Sequence, residues 1–139
     1  MRSIAERSYR QRFRNAVQLG ESRLWEVLEL GREAPHELDR ELRRLEAGGL
    51  FALYWSHGSA TRYVYQAGLR EHMGPHTNDW SLIWLAGWIV DQGQAYWNSV
   101  LDDVSVAPRR LAREDEGGGI RELIAEIYRD RFGEEMPWC

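Results

Sequence analysis

The stretch Trp80–Leu101, WSLIWLAGWIVDQGQAYWNSVL, constrains the fold more than any other part of the chain. On a helical wheel at about 100° per residue, Leu82, Leu85, Ala86, Ile89, Val90, Gly93, Tyr96, Trp97 and Val100 fill one broad apolar arc. Trp80, Trp84 and Trp88 make a second stripe, one tryptophan per turn, on the side where Asp91 and Asn98 also lie. A helix apolar on nearly all sides belongs inside a domain. The stretch is therefore read as one buried central helix, about residues 78–101. Thr77 or Asn78 serves as its N-cap, and Asp79 in the first turn suits the helix dipole.

A core of that kind needs a chain long enough to surround it. At 139 residues the sequence is read as one domain with a real core. Hydrophobic residues at 43% and charged residues at 29% are ordinary for a globular protein. The net charge of −4 makes no electrostatic case for nucleic acid as a partner. All 18 basic residues are arginine, which fits a GC-rich bacterial coding bias. A choice of arginine for bidentate phosphate or carboxylate contacts would require clustering, and the arginines are spread. Cys139 is the only cysteine, so no internal disulfide forms and a cytoplasmic location is expected. No signal segment is evident at the N-terminus. The apolar part of the central helix, Trp80–Val90, is too short to span a bilayer.

The remaining elements are helical in pattern. Residues 2–19 form a basic amphipathic helix, with Arg2, Arg7, Arg10, Arg12 and Arg14 outside Ile4, Phe13, Ala16 and Val17. It reads either as a solvated face or as an arm for an acidic partner. Glu21–Leu30 is a short helix closed by Gly31. Pro35 opens a helix to Glu46 with Leu38, Leu42 and Leu45 as its core stripe. Gly48-Gly49 is expected to break the chain. Leu50–Trp55 is ambiguous between strand and helix, and is taken as helix because no partner strand is nearby. Ser59 or Thr61 then starts a helix through Met73, with Tyr63, Val64, Ala67 and Leu69 inward. Residues 102–119, with Pro108 and three glycines, read as a mobile loop with a turn of helix near Leu111. Ile120–Arg131 is the last helix, and Trp138 folds back from the tail. The whole is an all-α, compact single-domain bundle of five to seven helices.

Asn78-Asp79 at the turn, Leu85–Gly93 in the helix, and the closing Ile127-Tyr128, Gly133 and Pro137 form a second pattern. In these residues the second half of the chain resembles an uncharacterised bacterial family, domain of unknown function 4240. Its pattern is an acidic turn, a helix reading Phe-Arg-x-Trp-Leu-Ile-x-x-Gly, and a late Ala-Tyr helix followed by Gly and Pro. Ala86 stands where that family carries arginine, and Asn78 replaces one of its acidic residues. The resemblance implies an all-helical fold and brings no known reaction.

Three groups of residues carry chemistry. His72, His76 and Asp79, with His57, are of types that bind zinc or iron. Gly74-Pro75 keeps the histidines off a shared helix face, so no metal and no cofactor is assigned. The same loop offers His72, His76 and Asp79 (or Glu71) for proton transfer beside a helix N-terminus that favours an anionic group. No GxSxG-type nucleophile motif accompanies it. The third group is the stripe Trp80, Trp84 and Trp88. With Asn78, Asp91 and Arg62 it forms a surface for an aromatic or peptide ligand, or else it is ordinary helix packing.

Two function classes follow. In one, the protein binds a peptide, a small molecule or a partner protein in an aromatic cleft. In the other, it is a small cofactor-free tailoring enzyme, for a peptide natural product, working by His/Asp proton transfer and positioning. A homodimer through the apolar helices is a third expectation.

Overall fold

The computed structural model describes residues 23–109 and 119–136. The basic segment 2–19, the turn near Leu111 and the tail at Trp138 lie outside the described residues. The fold is all-α: among the described residues every regular element is helical and none is a strand. The chain divides into two units, one of residues 1–56 with 124–139 and one of residues 57–123.

The first unit contains α1 (described over 23–33), α2 (Pro35–Arg44), the start of α3 (Ala47–Val64) and the end of α7 (Gly119–Phe132). Helix α1 runs past Gly31, which does not end it. A Cβ at Gly31 would overlap Leu38, so the glycine lets α2 approach closely. Pro35 opens α2, and Leu38 and Leu42 are buried. Leu45 sits outside the helix as an extended C-cap, and the Arg131 guanidinium donates to its carbonyl. The break expected at Gly48-Gly49 does not occur, because both lie inside α3. Leu50, Phe51, Ala52 and Leu53 follow at once and are all buried. Burying that run outweighs the roughly 1 kcal/mol that each helical glycine costs.

The second unit holds the end of α3, a π-helical turn (Tyr65–Leu69), α4 (Arg70–Met73), α5 (Asp79–Asp91), α6 (Gln94–Asp102), a 3₁₀ turn (Val104–Val106) and the start of α7. The helix expected from Ser59 or Thr61 is thus the continuation of α3, and it kinks at Gly68 (φ 101°). Val64 and Leu69 are buried there, but Tyr63 is 55% exposed.

The single central helix of the sequence reading is two helices. Gly93 takes φ 107° and ψ 169°, outside the helical region, and its N–H bonds Val90 O at 3.0 Å. Only glycine adopts such a backbone without strain. The apolar arc therefore belongs to α5, through Leu82, Leu85, Ala86, Ile89 and Val90, while α6 buries Val100 in its own right. Among the described residues no helix is long and apolar enough to cross a membrane.

Candidate functional site

The start of α5 is fixed by its own sequence. Asn78 is the N-cap, and its side-chain oxygen accepts the Ser81 N–H at 2.8 Å. Asp79 accepts from the Tyr65 hydroxyl at 3.1 Å and from the Arg70 guanidinium. Arg70 also donates to Thr77 O at 3.1 Å and to the Tyr65 hydroxyl at 3.2 Å. The loop between α4 and α5 is thereby tied to the π turn. The Asp79 side chain is 70% exposed, so the ion pair contributes little to stability, about 0–1 kcal/mol. Its effect is to fix the first turn of α5.

Opposite the buried face of α5, Trp80, Ile83, Trp84, Gly87, Trp88 and Asp91 recur at three- and four-residue spacing, which places them on one side. The N-terminal part of this side is not core, whereas Gly87 and Asp91 face the buried His57 of α3. Trp80 is 74% exposed and Ile83 is 43% exposed, while Trp84 and Trp88 are half-buried. Further along, Trp88 meets Tyr96 edge-on with ring centroids 6.2 Å apart. The Tyr96 hydroxyl donates to Val106 O at 3.4 Å, and burial pushes its pKa up. Trp97 donates to Ala60 O at 3.0 Å and packs edge-on against Tyr63. The tryptophans nearer the end of the unit's chain are thus anchored, and the first of the stripe stands in solvent.

At the far end of the stripe lies a buried polar pair. His57 Nε2 donates to Asp91 Oδ1 at 2.8 Å, with the imidazole 5% and the carboxylate 19% exposed. The other oxygen of Asp91 lies against Gly119, where a Cβ would overlap the carboxylate. Gly119 opens α7, and a helix N-terminus favours a negative charge. Thr61, one turn after His57 on α3, donates to His57 O at 2.8 Å and has its oxygen 3.5 Å from Nδ1.

Carboxylate, imidazole and hydroxyl follow one another here in the order of a nucleophilic triad. The hydroxyl proton is committed to a carbonyl of its own helix, and Thr61 is 8% exposed. What His57 turns toward Gly87 is Cε1, 3.7 Å from where a Cβ would stand. A carbon atom there offers a ligand no base. The group acts as a clamp that joins α3, α5 and the first residue of α7 within the unit.

The residues singled out from the sequence are distributed as follows. His72, His76 and Asp79 do not assemble into an acid–base group. His72 Nε2 donates to Ala107 O at 2.8 Å, His76 is exposed, and Asp79 is held by Arg70 and Tyr65. Among the described residues no three His, Cys, Asp or Glu side chains are placed to hold a metal ion. Asn78 is a cap, and Arg62 is exposed on α3. Trp80, Trp84, Trp88 and Asp91 do share one side of α5. Sequence reasoning missed Ile83, which the wheel places beside Trp80, and the pairing of His57 with Asp91, for which no local spacing exists.

Comparison of the chain with protein-family models, curated proteins and solved structures finds no match.

Proposed function

We propose that this protein is a binding module, and that the outward side of α5 grips an apolar segment of a peptide or partner protein. The observation that carries the reading is Trp80, 74% exposed at the start of a helix, with Ile83 at 43% exposed one turn on. Large aromatic side chains are costly to leave in water and are enriched where proteins meet. Support also comes from the rigid mounting. The Asn78 cap, the Arg70–Asp79–Tyr65 bonds and the His57–Asp91 clamp fix both ends of α5. A helix fixed at both ends loses little backbone freedom on binding.

The tailoring-enzyme reading has one observation in its favour, the His57–Asp91 pair, and the 5% exposure of the His57 side chain weighs against it. The likeness to the domain of unknown function 4240 family is compatible with either reading and favours neither.

A photo-crosslinking amino acid placed at Trp80 tests the proposal in cells of the source organism. A discrete, reproducible adduct is expected from position 80, and none from a control at Arg40 on the exposed side of α2. The same adduct pattern from both positions, or no adduct from position 80, overturns it.

A further inference from the structure

We draw no further inference here: the strongest candidate, the apolar face of α5 at Trp80 and Ile83, is unpartnered, the Asp79 carboxylate beside it is already paired with Arg70, and nothing in the structure shows what covers it.

Discussion

Two glycines on either side of Asp91 place opposite demands on a methyl group. At Gly119, φ is +37° and a Cβ would overlap the Asp91 carboxylate. Gly119→Ala must move Asp91 off His57 or shift the start of α7, and a loss of about 1–3 kcal/mol is expected in urea unfolding. At Gly87 the nearest atom is His57 Cε1 at 3.7 Å, ordinary van der Waals contact. Gly87→Ala is expected to leave the fold unharmed or stabilise it by about 0.5–1 kcal/mol, because alanine loses less backbone freedom in a helix. Asp91→Ala leaves the buried His57 Nε2 without its acceptor, and about 1–3 kcal/mol should be lost. If Gly87→Ala and Gly119→Ala destabilise equally, the account of the clamp is wrong.

At the scale of the element, α5 owes its position to its ends. Asn78→Ala removes the acceptor for the Ser81 N–H and should cost about 1 kcal/mol. A comparable device sits after α6, where Asp103 accepts from the Ser105 hydroxyl at 2.7 Å and the Ser105 N–H at 3.1 Å. Those bonds hold the Asp103 carboxyl below its usual pKa, with a small further contribution from His72. A lowered folded pKa stabilises above the unfolded value and is lost as pH falls through the folded one. Acid titration of unfolding should therefore show a component below the ordinary aspartate range that Asp103→Asn removes. How much of this was legible in the sequence varies by residue. A cap at Thr77 or Asn78 and the buried arc of Leu82, Leu85, Ala86, Ile89 and Val90 follow from local pattern, and the structure puts the cap at Asn78 and buries the arc. The break at Gly93 was hidden because apolar residues on both sides keep helical period, and a glycine in a helix reads as a tolerable cost. The reverse error occurred at Gly48-Gly49, where burial of the next turn holds the helix together. His57 and Asp91 are 34 residues apart, so only the folded chain brings them into contact.

Across the whole molecule, the all-α class was readable from periodicity, and the exposure of one side of α5 was not. A wheel records which residues share a side and is silent on whether another element covers it. Trp80 and Leu85 look alike in hydropathy, yet one is 74% exposed and the other 1%. Leu85→Ala should therefore cost about 2–5 kcal/mol in denaturant unfolding, and Trp80→Ala no more than about 0.5 kcal/mol. The central claim is that the Trp80 side of α5 is open in the isolated chain and covered by a partner in the cell. Hydroxyl-radical footprinting of Trp80, by mass spectrometry of the purified protein and of intact cells, tests it most directly. The account predicts heavy oxidation of Trp80 in the dilute purified protein and clear protection in cells. Equal oxidation in both settings, or protection already present in the isolated chain, would contradict it.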